Sequence, residues 1–448
     1  MKIKMILLTI FMAGSILTFT GCDGDDDYTT DYDEAMLQAQ AEDIVDALIT
    51  GDYTAVADQF SAEVKAQLSV EVLQANWESV VAPIGAYIDL YQTSGEVEDD
   101  YYVVQVVSRF ELNGLLTTIT FNSSGEIAGL WINYKTIEEG PIETDAYSEI
   151  EFSVGEYDLS GLLTLPKGVE SPPVVLLIQG SGSTDKNETI GAASNTPFAD
   201  IAHTLAEQGI ATLRYDKRYF SHPELAESGA VTVAAEVLDD AYAAIAQLTA
   251  DDRIDNSRIF VLGHSLGGML APKIAADNSD VAGIIILAGS LRNLAEIIMD
   301  QNNEAAEALR PTLSDDEITL LESQLAQAQT DAAAVLALTK DDGGTYFGIP
   351  AAYWYSLNQA GGMNYLDQLT LPVLILQGSE DFQVYPDKDF VLWQNYYENN
   401  DQATLVLYDG LNHLFMQSSG LRTTADYDTP NQVRQDVIDD IGEWVNTH

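Results

Sequence analysis

Between Ile259 and Ala276 the chain sets a four-residue apolar run, a Gly263-His264-Ser265-Leu266-Gly267 turn and a helical stretch in immediate succession. The run Ile259-Phe260-Val261-Leu262 shows no polar alternation, as expected of a strand buried on both faces, and such strands belong to parallel sheets covered by helices. A turn from that strand straight into a helix holds the serine in a strained conformation. Glycines on either side let the backbones approach without a Cβ clash. The hydroxyl is raised above the sheet at a helix N-terminus, where free N–H groups and the positive end of the dipole lie close by. G-x-S-x-G in this strand-to-helix context marks Ser265 as a nucleophile.

After Pro141 the same alternation recurs. Ile150 to Val154 and Leu159 to Leu165 read as a hairpin around Gly155. Val174 to Ile178, Ile210 to Arg214, Ile284 to Leu287, Val373 to Leu376 and Thr404 to Leu407 read as further strands. Helical patterns cover Pro197 to Gln208 and Val233 to Leu248, and Gln432 to Val445 closes the chain. The expectation is an α/β domain over residues 138–448, built on a mostly parallel eight-stranded sheet flanked by helices. Between Ser290 and Gly362 no strand pattern occurs, only helical stretches such as Ile318 to Ala328. An insertion that long between strands is expected to form a cap, at about residues 290–365.

A serine hydroxyl needs a base, and the chain has five histidines. His448 is terminal, His203 lies in an amphipathic helix, His222 sits beside Pro223, and His264 is read as turned away from the site. His413, in Gly410-Leu411-Asn412-His413-Leu414-Phe415, follows the last strand and so faces the carboxyl edge of the sheet, where Ser265 lies. It is the expected general base. The orienting carboxylate is expected after Val373 to Leu376, as Glu380 or Asp381, because no acid follows Ile284 to Leu287 until Glu296. The oxyanion donors are expected to be the backbone N–H of Leu266 and one from Gln179-Gly180-Ser181-Gly182-Ser183, with Ser181 preferred to Gly182. Near the end of the cap, Tyr353-Trp354-Tyr355 offers an aromatic wall, with Trp354 and Tyr355 as the expected substrate contacts. Arg214, Lys217 and Arg218 gather three of the 19 cations at one strand end. They read as internal salt bridges or, for Arg218, as a partner for a substrate carboxylate.

The first residues read as an export signal. Lys2 and Lys4 precede a short apolar run, Met5 to Phe19, which is too brief to span a membrane comfortably. Asp23 to Asp33 is an acidic tether, and residues 35–137 read as a small α+β domain. In that domain, helical patterns over Glu34 to Leu68 and Ser69 to Val81 precede strands at Tyr102 to Phe110, Thr117 to Phe121 and Ile127 to Ile132. It has no histidine or cysteine, and no catalysis is expected there. With 71 acidic against 19 basic side chains the formal net charge is −52, a field that repels phosphate backbones, so no nucleic-acid partner is expected. A single cysteine, Cys22, excludes a disulfide framework and a thiolate zinc site. No metal or cofactor is expected.

These motifs carry three resemblances. Phe19-Thr20-Gly21-Cys22 resembles a bacterial lipobox, with phenylalanine where leucine is usual. This implies a signal peptide over residues 1–21, a lipid on Cys22, and an exported chain tethered to a membrane and facing the periplasm or cell exterior. Residues 35–135 resemble the cystatin-like or nuclear-transport-factor-like domains of unknown function found ahead of some bacterial hydrolases. Residues 145–446 resemble an α/β-hydrolase of the bacterial carboxylesterase type. The loops Gly180-Ser181-Gly182 with Asp185-Lys186-Asn187-Glu188, and Arg214-Tyr215-Asp216-Lys217-Arg218, are similar to that branch. In this chain Gln179 stands where a histidine is frequent and Tyr219 where a glycine is usual. The resemblance implies the α/β-hydrolase fold, and it implies Asp381 as the acid, three residues beyond Gly378. The order Ser265, Asp381, His413 is that of the family. It further implies hydrolysis of small or medium acyl esters through an acyl-enzyme. The alternatives are a serine peptidase similar to the prolyl-oligopeptidase type and a catalytically idle surface binding lipoprotein.

Overall fold

Residues 34–135 build a unit with a core of its own. The computed structural model describes residues 32–98, 100–110, 113–135, 140–227, 231–340 and 342–448. The expected signal peptide, Cys22 and all but the end of the tether lie outside the described residues. Asp33 caps the helix Glu34–Thr50 with its carboxylate, and Gly51, in the left-handed region, ends it. A second long helix covers Val70–Val81. The strands β1 (Tyr87–Glu98), β2 (Tyr101–Phe110), β3 (Gly114–Phe121) and β4 (Ile127–Lys135) form an antiparallel meander in that order. Their inward side chains, among them Val104, Ile119 and Ile127, pack on Ile44, Leu48 and Trp77 of the helices. The sequence reading misses β1, because this edge strand is exposed along most of its length and shows no clean apolar alternation.

The larger unit is built on an eight-stranded sheet. Its strands are β5 (Tyr147–Val154), β6 (Leu159–Pro166), β7 (Val174–Ile178), β8 (Ala211–Tyr215), β9 (Ile259–His264) and β10 (Val281–Leu287). A cap follows, with helices Leu294–Leu309, Asp315–Leu336 and Ala351–Ala360 and a short ladder of β11 (Thr345–Tyr346) on β12 (Ile349–Pro350), where no strand is expected from sequence. The chain returns through β13 (Val373–Gly378) and β14 (Ala403–Tyr408). The order is β14-β13-β10-β9-β7-β8-β6-β5, with pairing parallel from β14 to β8 and antiparallel at β6 and β5.

Strands buried on both faces explain this layering. Along β7, Val174, Leu176 and Ile178 join a cluster with helices Asp239–Thr249 and Leu266–Asp277, whereas Val175 and Leu177 join one with Pro197–Glu207 and Gln435–Thr447. Because β7, β9, β13 and β14 run parallel, the loops after them open at one edge of the sheet, and the chemistry gathers there. The Val233 to Leu248 stretch begins with a π-helical turn, Ala234–Leu238, before it becomes α-helical.

Candidate active site

Ser265 follows β9 directly and caps the helix Leu266–Asp277 with φ 53° and ψ −112°, a conformation that costs an L-residue roughly 1–3 kcal/mol. Its N–H donates to Leu287 O at 2.8 Å, which ties the turn to β10. The flanking glycines are required by space: a Cβ on Gly263 would lie 2.2 Å from Gly267 O, and one on Gly267 would lie 2.2 Å from Ile178 O. Ser265, His413, Ser181 and Leu266 all line one cavity of about 470 Å³. Within the described residues Ser265 Oγ makes no hydrogen bond. Catalytic hydrogen bonds of this kind often tighten only when substrate binds.

Asp381 lies in the loop after β13 and is fully buried. Its Oδ1 accepts from Gln383 N–H at 2.8 Å and Val384 N–H at 2.9 Å, and its Oδ2 accepts from Gln377 Nε2 at 2.8 Å. The remaining partner of Oδ2 is His413 Nδ1, at 2.8 Å. A ring nitrogen facing a carboxylate that already accepts from an amide carries the proton, which leaves the lone pair on Nε2. The His413 loop is held from within. Asn412 Oδ1 accepts from Leu414 N–H at 3.0 Å and Met416 N–H at 3.2 Å, and Asn412 Nδ2 donates to Asp426. Glu380, the competing acid, is instead within 3.6 Å of Arg422.

Leu266 opens its helix, so its N–H has no intrahelical acceptor. Ser181 N–H has no acceptor among the described residues. The loop carrying Ser181 is braced by Gln179, whose buried amide donates to Tyr215 O and to Asp185 O.

His264 departs from the sequence reading. It does not turn away but is buried at the cavity, with its ring centroid 4.7 Å from that of His413. Its Nε2 donates to His413 O at 3.0 Å, and its Nδ1 faces Glu188 Oε1 at 2.9 Å. Burial alone would lower the imidazole pKa, but the Glu188 carboxylate, with the His413 carbonyl and the Asp381 charge, more than offsets this and leaves it above the ordinary value. The same Glu188 oxygen accepts from Gly180 N–H, so the Glu188–His264 pair ties the Gly180–Ser181 loop to the His413 loop. Adjacency to the nucleophile is the only signal for His264 in the sequence, and it does not say which way the ring turns.

The expected substrate contacts do not reach the cavity. Arg218 is buried against Asp240, with bonds of 2.8 and 3.0 Å, and its guanidinium sits 4.5 Å from the Tyr157 ring. Arg214 is likewise consumed by Glu149, Thr164 and Asn187. Burial raises the Glu149 pKa, but His203 and Arg214 outweigh it and bring the carboxyl down to about 2. Trp354 is fully buried in the cap and donates to Tyr346 O at 2.9 Å, and Tyr355 is absent from the lining. The aromatic walls are Tyr427, Tyr353, whose hydroxyl donates to Glu236, and Tyr219, which stands where the similar loops have glycine. That substitution was the available signal for Tyr219.

Residues 192–419 match the family described as serine aminopeptidase, S33, and residues 41–130 match a family described as a protein of unknown function (DUF3887). Esterase EstD of Thermotoga maritima is 32% identical over 403 residues, covering 90% of this chain and 93% of its own length. The quorum-quenching protein AidA of Acinetobacter baumannii is 27% identical over 137 residues, 31% of this chain and 42% of its own. Among solved structures, Est1E from Butyrivibrio proteoclasticus superposes with a TM-score of 0.39 at 19% identity, covering 69% of this chain and 96% of that one.

Proposed function

We propose that this chain, which belongs to the α/β-hydrolase family described as serine aminopeptidase, S33, and is a carboxylesterase-type hydrolase, works through an acyl-enzyme on Ser265 while tethered to a membrane. The observation that carries the mechanism is the shared cavity: a strained serine, the lone-pair nitrogen of an Asp381-held imidazole and two unengaged N–H groups all border it. In this reading His413 Nε2 takes the Ser265 proton as Oγ attacks the ester carbonyl. The resulting oxyanion is held by Ser181 N–H and Leu266 N–H. His413 then returns the proton to the leaving alcohol, and water hydrolyses the acyl-enzyme by the same route. Apolar walls from Met269, Leu294, Ile297 and Val384 favour small or medium acyl chains.

Ser265→Ala should lower kcat on 4-nitrophenyl butyrate by about 10⁶-fold, the loss measured for a comparable serine hydrolase. Activity that survives the change nearly intact would overturn the mechanism. Chromogenic peptides assayed beside the esters separate a peptidase from an esterase, and failure of the folded chain to label with a fluorophosphonate would point to the idle binding role. The tether is proposed from the lipobox-like Phe19-Thr20-Gly21-Cys22. Cys22→Ala should move the protein from the membrane fraction to the soluble one, and unchanged fractionation would count against it.

A further inference from the structure

Of the three cations at and just after the end of β8, Arg214 and Arg218 are consumed by ion pairs, whereas Lys217 also grips a backbone carbonyl. Its side chain is 3% exposed, and its ammonium donates to Gly180 O at 2.8 Å and to Glu236 Oε1 at 2.6 Å. Gly180 O and Ser181 N–H belong to the same peptide plane. That peptide is trans, so its carbonyl and its N–H point in opposite directions. A group that grips the carbonyl from one side therefore aims the N–H to the other, where Ser181 lines the cavity. The preceding peptide is gripped as well, because Gly180 N–H donates to Glu188.

From this geometry we propose that Lys217 is the positioning residue of the oxyanion hole, fixing and polarising the Gly180–Ser181 peptide so that Ser181 N–H meets the developing charge. The inference rests on the acyl-enzyme reading above. A charged donor on a carbonyl strengthens the opposite N–H as a donor, because hydrogen bonds in series polarise one another. Glu236 makes the arrangement affordable. It neutralises an ammonium that would otherwise be buried unpaired, and the π-helical turn Ala234–Leu238 carries it to the cavity wall. The other Glu236 oxygen accepts from the Tyr353 hydroxyl at 2.6 Å, and burial together with the Glu236 charge keeps that phenol protonated. Tyr353 stands on the cap helix Ala351–Ala360. A continuous chain of hydrogen bonds thus runs from the cap through Glu236 and Lys217 to the oxyanion loop.

Lys217→Met alone would leave Glu236 buried and unpaired, so the test pairs two charge-balanced variants of the full chain, Lys217→Met with Glu236→Gln and Lys217→Gln with Glu236→Gln. Each is assayed beside Ser265→Ala. The first pair should fold, as judged by its melting curve, and lose about 10²-fold in kcat on 4-nitrophenyl butyrate, with KM within about threefold, in line with loss of one oxyanion donor. Affinity for an alkyl boronic acid, which becomes a tetrahedral anion on serine, should fall by a similar factor, and affinity for an unreactive amide of the same acid should not. In the second pair glutamine can still donate to Gly180 O and should restore at least about tenfold of the lost kcat. The proposal is overturned if the first pair keeps kcat within about threefold of the parent, if the loss falls on KM and on the amide, or if glutamine restores nothing. Retained activity in Ser265→Ala would instead overturn the acyl-enzyme reading.

Discussion

Asp381→Asn tests the assignment of the acid more cleanly than removal of the side chain does. Asp381 Oδ1 accepts two backbone N–H groups, from Gln383 and Val384, and these cannot turn away. The amide oxygen of asparagine must take that position, which places its NH₂ where Oδ2 stood. There it meets two donors, His413 Nδ1 at 2.8 Å and Gln377 Nε2 at 2.8 Å. The imidazole can relieve the clash only by moving its proton to Nε2, which removes the lone pair that would accept the Ser265 proton. A forced change of tautomer of this kind costs about 10⁴ in kcat in a serine protease, or about 5.4 kcal/mol of barrier at about 1.36 kcal/mol per decade. Substrate binding does not use this carboxylate, so KM should change little. Stability should fall by about 1–2 kcal/mol for the unsatisfied Gln377 amide. Asp381→Ala would instead orphan two buried N–H groups and confound activity with folding. The assay is kcat and KM on 4-nitrophenyl butyrate together with a urea midpoint. A folded Asp381→Asn enzyme within about tenfold of the parent kcat would refute the assignment.

Gly263→Ala puts a Cβ against a backbone oxygen that cannot yield, and should destabilise by about 3 kcal/mol or more, read as a lower urea midpoint. The imidazole of His264 is raised in the folded chain, so its stabilisation is complete below about pH 6.5, the unfolded value, and is lost as pH rises through the folded one. The gap in urea midpoint between the parent and His264→Gln should therefore narrow toward alkaline pH, and a gap that widens would contradict the sign. Met269 and Leu294 separate the main cavity from a smaller hollow of about 140 Å³ behind them. Met269→Ala should raise the octanoate-to-butyrate ratio of kcat/KM by about tenfold, and an unchanged ratio would mean that the two spaces do not join.

What could be read beforehand follows from how local each signal is. The strand, turn and helix around Ser265 are written in consecutive residues, and the fully apolar runs of β7, β9 and β13 announce burial on both faces. The loop bearing His413 could be placed because a parallel sheet sends all such loops to one edge. Non-local partners could not be read. Nothing in the spacing of Arg214, Lys217 and Arg218 says that Glu149, Glu236 and Asp240 await each of them inside the fold. Trp354 and Tyr353 are neighbours in the chain, yet their rings stand 86° apart, one in the cap core and one on the cavity wall. Only the helix phase and the packing of the cap decide which of them faces substrate. The strand β1 escaped for the opposite reason: an exposed edge carries no hydrophobic alternation to read.

The cap departs from β10 and comes back at β13, and these two strands are hydrogen-bonded neighbours. Its three helices are therefore an excursion whose two ends re-enter the scaffold side by side, with no ladder of the eight-stranded sheet depending on them. What the cap adds to the cavity wall, Leu294, Ile297 and Tyr353 among it, therefore sits on a stretch of chain outside the sheet's register. That stretch can lengthen or shorten while the eight strands keep their register, provided Tyr353 still meets Glu236.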